Sequence, residues 1–178
     1  RFTPEELDNS LSQLPAMRLR DPDMVQVLEK IHAIARSSYE AEFDEESEIS
    51  ERVLWPATVS ERHGMEDSRW VRFTEADGST SYRATYTGFD GTGVVSRLLE
   101  TQDFRKFSSM ELTGTAVANK GVALFPRQVG NRYLALSRWD REANSIAYSD
   151  DGYHWNESTT FQKAVHPWEL VQIGNNGS

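Results

Sequence analysis

Thr101-Gln102-Asp103-Phe104-Arg105-Lys106-Phe107 and Ser149-Asp150-Asp151-Gly152-Tyr153-His154-Trp155 are one pattern written twice, 48 residues apart. Each runs from Ser/Thr through an Asp two places on to an aromatic four places beyond the Asp. A short oxygen-bearing side chain can accept hydrogen bonds from the backbone of the turn that follows it, so this spacing makes a tight turn from its own residues. The aromatic then plugs the hairpin into a core. Asp103 and Asp151 therefore read as structural residues. Tyr82 and Tyr133, 51 residues apart, head equivalent strands. A period near 50 built of short antiparallel strands is the signature of β-propeller blades, at about 40–50 residues each. A β-sandwich also has many short strands, but not this repeat.

The strands around the repeat follow from alternation and turn chemistry. Arg69–Phe73 reads as a strand, Asp77-Gly78 as a hairpin turn and Ser81–Thr87 as its partner. Phe89-Asp90-Gly91 turns again before a strand at Val94–Glu100. Val122–Phe125, Tyr133–Ser137 and Ser145–Tyr148 are strands of the second unit, with a turn at Gly130-Asn131. Tyr39, Ala41 and Phe43 alternate with polar residues. The acidic stretch Asp44, Glu45, Glu46, Glu48 reads as a solvated loop, since a calcium loop needs a regular ligand spacing and a turn glycine that are missing.

Residues 1–38 have a different period. Thr3-Pro4-Glu5-Glu6 is a capping box with Pro at the first helical position, and Leu7, Leu11 and Leu14 follow at helical spacing. Asp21-Pro22-Asp23 repeats the start signal before Val25, Leu28, Ile31 and Ala35, with Val27 and Ile34 beside them. His32 near that stripe reads as a packing histidine, because no second ligand stands at helical spacing. The expected organisation is thus an N-terminal α-helical segment, 1–38, before a mainly β, partial propeller, 39–178. The chain starts at Arg1 and stops in an apparent loop, Gly174-Asn175-Asn176-Gly177-Ser178, so a piece of a longer protein is expected. Two blades cannot close a ring. Either the remaining blades of the parent chain complete it, or exposed blade edges support self-association.

Composition removes several classes of function. The 178 residues carry 19 Lys+Arg against 28 Asp+Glu, a formal net charge of −9. That balance disfavours duplex nucleic acid and anionic membranes, which would repel the chain. There are no cysteines, hence no disulfide, zinc-thiolate site or thiol nucleophile. The apolar runs are as short as Val122–Phe125, far below a membrane span. No signal peptide is visible and a cytoplasmic location is expected, in which case the sequons at Asn156 and Asn176 carry no sugar. There is no Gly-rich phosphate loop, His-x-x-x-His pair or Gly-x-Ser-x-Gly elbow.

What chemistry remains lies in four clusters. Gly64-Met65-Glu66-Asp67-Ser68-Arg69 precedes a strand of the first unit. In an extended chain Glu66 and Asp67 point to opposite faces, whereas Asp67 and Arg69 share one, as a strand-end salt bridge or as an acid aimed at the propeller axis. Asn119-Lys120-Gly121 and Ser137-Arg138 supply two cations, Lys120 and Arg138, that together can form an anion pocket. In Pro167-Trp168-Glu169-Leu170-Val171-Gln172-Ile173-Gly174, Trp168 either stacks on a sugar ring or fills the core. Glu169 is the candidate base there, although a structural role fits it better.

The same stretches resemble glycoside hydrolase family 130. Ser50-Glu51-Arg52-Val53, Gly64 through Arg69, and Tyr82-Arg83-Ala84-Thr85-Tyr86-Thr87 carry the resemblance in the first unit. Asn119 through Arg127, Arg132 through Arg138, Ser149-Asp150-Asp151 to Trp155 and Trp168-Glu169 to Gly174-Asn175 carry it in the second. The match spans about residues 39–178 in order, with the helical segment similar to an extension that precedes the propeller in longer members. The resemblance implies a five-bladed β-propeller that acts on β-mannosides with inversion, by phosphorolysis to mannose 1-phosphate or by hydrolysis. It implies a β-mannoside or oligosaccharide substrate and no cofactor or metal, with inorganic phosphate as co-substrate of a phosphorylase. The family's catalytic acid, which passes its proton through a hydroxyl of the bound mannose, falls on Asp67. Arg69 keeps the motif's arginine as a substrate-binding residue, Ser68 stands where Pro is usual, and Trp168 falls on the substrate side. The phosphate-binding cations fall on Lys120 and Arg138, while a further family Lys is Gln172 here, one charge fewer for a dianion. A phosphorylase is the first reading; a β-mannosidase and a non-catalytic sugar-binding propeller are the alternatives. An Arg69 cation beside Asp67 would also hold its carboxyl below the range a direct general acid wants.

Overall fold

The computed structural model describes residues 37–170 and 173–175 continuously, and before them only positions 9, 10, 24, 25, 27, 28, 31 and 35. Those eight positions are helical, and Val25, Val27 and Ile31 are more than a third exposed. The capping box at Thr3–Glu6, Leu7, Leu11, Leu14, Asp21–Asp23, His32 and Ile34 lie outside the described residues, as do Val171, Gln172 and Asn176–Ser178.

Nine strands form two antiparallel sheets. The first contains β1 (Tyr39–Glu42), β2 (Gly64–Thr74), β3 (Thr80–Phe89), β4 (Val94–Thr101) and β5 (Lys106–Glu111), in the order β1-β5-β4-β3-β2. The second runs β6 (Ala123–Leu124), β7 (Tyr133–Ser137), β8 (Ala143–Ser149), β9 (Glu157–Lys163) in simple sequence order. Four strands of each sheet are therefore an up-and-down unit, and β1 adds to the outer edge of the first through pairs such as Tyr39 with Ser109. Strands β5 and β9 had no sequence expectation; β9 is exposed along its whole length and has no apolar alternation to read.

The twice-written pattern makes the same turn in both sheets. Thr101 Oγ1 accepts from the N–H of Asp103 (3.3 Å) and Phe104 (2.8 Å), and Asp103 Oδ1 accepts from Arg105 (2.8 Å) and Lys106 (2.9 Å). Ser149 Oγ accepts from Asp151 (3.3 Å) and Gly152 (2.9 Å), and Asp151 Oδ1 from Tyr153 and His154 (both 2.8 Å). Tyr82 pairs with Thr101 and Tyr133 with Ser149, so the tyrosines occupy equivalent register positions. Asp103 and Asp151 are thereby committed to backbone donors, and both carboxyls lie below the ordinary aspartate range. At Asp103 the N–H groups of Lys106 and Arg105 are the main cause; at Asp151 those of His154 and Tyr153 outweigh an opposing effect of burial. Removing one acceptor should cost about 1 kcal/mol, because two turn N–H groups lose their partner. We expect Ser149→Ala to lower the urea-denaturation free energy by that amount, and an unchanged value would contradict the structural role given to this turn.

The sheets meet through their apolar faces. Val71, Leu98, Leu112 and Val117 pack with Leu124, Ala135, Ala147 and the fully buried Trp155. Trp155 is fixed by its backbone N–H to the Thr113 carbonyl (2.7 Å) and by Nε1 to the Gly152 carbonyl (3.0 Å). Gly114 has φ +109°, and a Cβ there would lie 2.2 Å from the Trp155 carbonyl oxygen, so only glycine fits the seam. On the other face of the first sheet Ala84, Tyr86, Leu99 and Phe107 are covered by Ala41, Phe43, Leu54, Met65 and Trp70. The acidic stretch at 44–48 is an exposed turn held by Arg52, whose guanidinium donates to the carbonyls of Ser47 (2.5 Å) and Phe104 (2.9 Å). No helix among the described residues is long and apolar enough to cross a membrane.

Strands β2 and β6 lie at the free edges of their sheets and run parallel at their C-terminal ends, where Thr74 bridges Arg127. Their N-terminal ends therefore point the same way. That end holds the residues of interest.

Candidate functional site

Asp67 sits three residues into β2, where the ladder breaks. Glu66 pairs with Thr87 and Arg69 with Thr85, so two residues of β2, Asp67 and Ser68, oppose the single Tyr86. The extra residue is accommodated by Asp67 in the left-handed region, φ +55°, a conformation Asp adopts more readily than most residues. Two sequence expectations fail at this bulge. Glu66 and Asp67 do not point apart: both approach one cation, Lys120 Nζ, at 3.2 Å from Glu66 Oε1 and 3.8 Å from Asp67 Oδ2. Nor does Asp67 pair with Arg69 among the described residues. The Arg69 guanidinium instead donates to the carbonyl (3.1 Å) and side-chain oxygen (2.5 Å) of Asn175, returning from beyond β9 to the first sheet. The cation beside the candidate acid is a lysine that can move, not an arginine fixed in the same strand.

Lys120 and Arg138 are brought together through their backbones. The Arg138 Nε donates to the Lys120 carbonyl (3.3 Å), and Asn119 Nδ2 donates to the Arg138 carbonyl (3.2 Å). Asn119 is in turn held by Ser96, whose hydroxyl donates to its carbonyl (2.9 Å), and Thr85 Oγ1 donates to the Val122 carbonyl (2.5 Å). Between them Gly121, φ +88°, leaves room for the guanidinium: a Cβ would fall 2.8 Å from Arg138 Nε. Arg138 is only 8% exposed, yet no carboxylate among the described residues pairs with it. Of its guanidinium nitrogens, only Nε has a hydrogen-bond partner among the described residues, the Lys120 carbonyl.

Asp67, Thr87, Ser96 and Gly121 line a narrow recess between the two sheets, too tight to admit a water molecule, with neither Lys120 nor Arg138 in its lining. A larger groove, about 530 Å³, lies at the opposite end of the first sheet between Glu40, Glu75, Ser81 and Lys106, and holds none of the candidate residues. The candidate residues and the larger groove thus lie at opposite ends of the first sheet.

The remaining candidates are placed as follows. Trp168 is 72% exposed on a 3-10 turn, Pro167–Glu169, and its ring stacks on His166 at 4.4 Å and 11°. It is an outward aromatic platform and does not fill the core. Glu169 is a capping residue: its Oε2 accepts from the N–H groups of Val165 (2.6 Å) and His166 (2.8 Å), which hold its carboxyl below the ordinary glutamate range. It is not poised as a base. Gln172 lies outside the described residues.

Sequence reasoning missed one cluster altogether. Glu61 Oε2 accepts from the N–H groups of Ala57 and Thr58 (both 3.0 Å), the same i−4 and i−3 donors that Glu169 uses, just ahead of β2. Here, however, Arg97 completes the pair at 3.1 Å, with both side chains fully buried, and the Tyr86 hydroxyl donates to Glu61. The signals were present: Thr58-Val59-Ser60-Glu61 is a capping box, and Arg97 interrupts an apolar strand.

No protein-family model matches the chain, and no curated protein matches it in sequence. Among solved structures it is similar to the beta-1,2-mannobiose phosphorylase from Listeria innocua in its beta-1,2-mannobiose complex, with 23% identity and a TM-score of 0.57. The two share a fold. The likeness covers 68% of this chain and 34% of that one, so the present chain spans about a third of that phosphorylase's length.

Proposed function

We propose that this chain carries the acid and the anion-binding side of an inverting β-mannoside phosphorylase. The observation that carries the reading is Arg138, a largely buried residue paired with no carboxylate among the described residues, its Nε tied to the Lys120 carbonyl near the recess that Asp67 lines. In this reading Lys120 and Arg138 hold phosphate so that its oxygen attacks the anomeric carbon. Asp67 supplies the proton that the departing glycosidic oxygen needs, through a hydroxyl of the bound mannose. The C–O bond to the leaving sugar breaks as the C–O bond to phosphate forms, giving mannose 1-phosphate. Phosphate is already an anion and needs no base, which agrees with Glu169 being spent on capping. Arg69 and Trp168 belong to the sugar side. Further blades are proposed to complete a five-bladed ring around the inner strands, since the fold likeness leaves about two thirds of the phosphorylase unmatched.

Hydrolysis is the second reading, and one observation favours it: Lys120 is already paired with Glu66, which lowers its call on an anion. Turnover of β-linked manno-oligosaccharides by the intact protein, with and without inorganic phosphate, separates the two. Consumption that requires phosphate is expected; equal consumption without it would assign the site to hydrolysis.

A further inference from the structure

The bulge at Asp67 does more than present an acid. By putting Asp67 in the left-handed region it turns two consecutive carboxylates toward one lysine. Glu66 is half exposed and takes the shorter contact, 3.2 Å against 3.8 Å. Its side chain makes no other hydrogen bond among the described residues.

We propose that Glu66 is the specificity-determining residue of this site, setting how strongly it accepts an anion by holding Lys120 as its own counter-ion. The proposal rests on the anion-site reading given above. One ammonium, Lys120, stands between the two carboxyl groups, so an anion arriving at the mouth of the recess competes with Glu66 for it. An incoming phosphate must then draw the ammonium away from Glu66 and accept the repulsion of that carboxylate a few ångströms off. Arg138 stays fixed throughout by its bond to the Lys120 carbonyl, so the adjustable part of the anion pocket is the Lys120 side chain. Glu66 acts through Lys120 and has no bond-breaking role. A neutral nucleophile meets no such penalty, and the same bulge that shapes the acid thereby biases the choice between phosphate and water.

The test is direct binding of inorganic phosphate to the purified protein, by calorimetry at low ionic strength, where surface charge effects are least screened. Neutralising a carboxylate in contact with the lysine at a half-exposed site should tighten phosphate about fivefold in Glu66→Gln, the order expected of a partly exposed pair. Glu66→Ala should do the same, which separates charge from shape. In a Lys120→Met background the Glu66→Gln gain should shrink toward about twofold, leaving only the through-space repulsion. A residue that merely supported the fold would not improve binding when removed. Weaker or unchanged phosphate binding by Glu66→Gln, with wild-type binding still dependent on Lys120, would overturn the proposal while leaving the anion site intact. No phosphate binding by wild type or Glu66→Gln alike would overturn the anion site and the proposal with it.

Discussion

Arg97→Met is expected to lower stability by about 3–5 kcal/mol, measured as the free energy of urea unfolding at neutral pH. Arg97 and Glu61 are both fully buried, and Arg97 also donates to Ser60 Oγ (3.1 Å), the Ser37 carbonyl (2.6 Å) and Ser109 Oγ (2.9 Å). Methionine fills much of the volume but leaves Glu61 as an uncompensated buried charge, which is where the cost arises. Glu61→Gln added to Arg97→Met should recover part of it, because the amide oxygen keeps an acceptor for the Ala57 and Thr58 N–H groups and removes the charge. The pH dependence has a definite sign. Burial would raise the Glu61 carboxyl, but the Tyr86 hydroxyl, Arg97 and the backbone donors outweigh it and bring it below 4.5. A folded-state value lowered in this way contributes stability that is present above the unfolded value and lost as pH falls through the folded one. Without Arg97 burial is left to raise the carboxyl, and protonation then relieves the buried charge, so the variant's stability deficit should be largest at neutral pH and narrow on acidification. A loss under about 1 kcal/mol would mean that solvent reaches Glu61 and that the pair is not a structural anchor.

Asp67→Asn should reduce mannoside turnover by about 10²–10⁴-fold, the contribution of a positioned general acid. The substitution is close to neutral for the fold, for a reason visible in the backbone. Asn is among the residues that best tolerate the left-handed conformation found at position 67, and the side chain is half exposed. The melting temperature should therefore stay within about a degree of wild type, a shift corresponding to a few tenths of a kcal/mol. Loss of rate with retained stability isolates chemistry from folding. Asp67→Gly offers a check, since it relieves the backbone while deleting the acid. A variant that keeps more than a tenth of wild-type rate would remove Asp67 from the role of acid, and binding without turnover in wild type would favour a sugar-binding module.

Much of the sheet architecture was legible because its signals are local. The Ser/Thr-x-Asp turns make their own hydrogen bonds, and the aromatic at the end of each motif, Phe107 or Trp155, is buried wherever that turn forms. Asp77-Gly78 and Phe89-Asp90-Gly91 are turns for the same reason, with Asp90 held down to about 2 by the N–H groups of Gly93 and Thr92. Strands β5 and β9 were not legible. In β5 the buried positions alternate but are Phe107 and Ser109, so no apolar alternation shows in the sequence, and β9, Glu157–Lys163, faces solvent throughout. Their place is set by hairpin pairing with β4 and β8 across the two Ser/Thr-x-Asp turns.

The candidate site was legible in residue identity but not in geometry. Alternation in an ideal strand separates Glu66 from Asp67 and joins Asp67 to Arg69. One bulge reverses both statements, and nothing in Gly64–Arg69 announces a non-glycine residue in the left-handed region. The approach of Lys120 to the two carboxylates is set by how the second sheet docks on the first, through Thr85 on Val122 and Ser96 on Asn119. Arg97 was readable as an oddity in an apolar strand, but its partner lies 36 residues earlier, in a 3-10 turn before β2. Charge pairing at that separation is invisible to periodicity.

The most direct test is nuclear magnetic resonance of the intact protein's reaction with β-linked mannobiose and inorganic phosphate, with the anomeric product signals read as they form. Inverting phosphorolysis predicts α-mannose 1-phosphate accumulating in step with disappearance of the disaccharide. Free mannose formed at the same rate without phosphate would contradict the account.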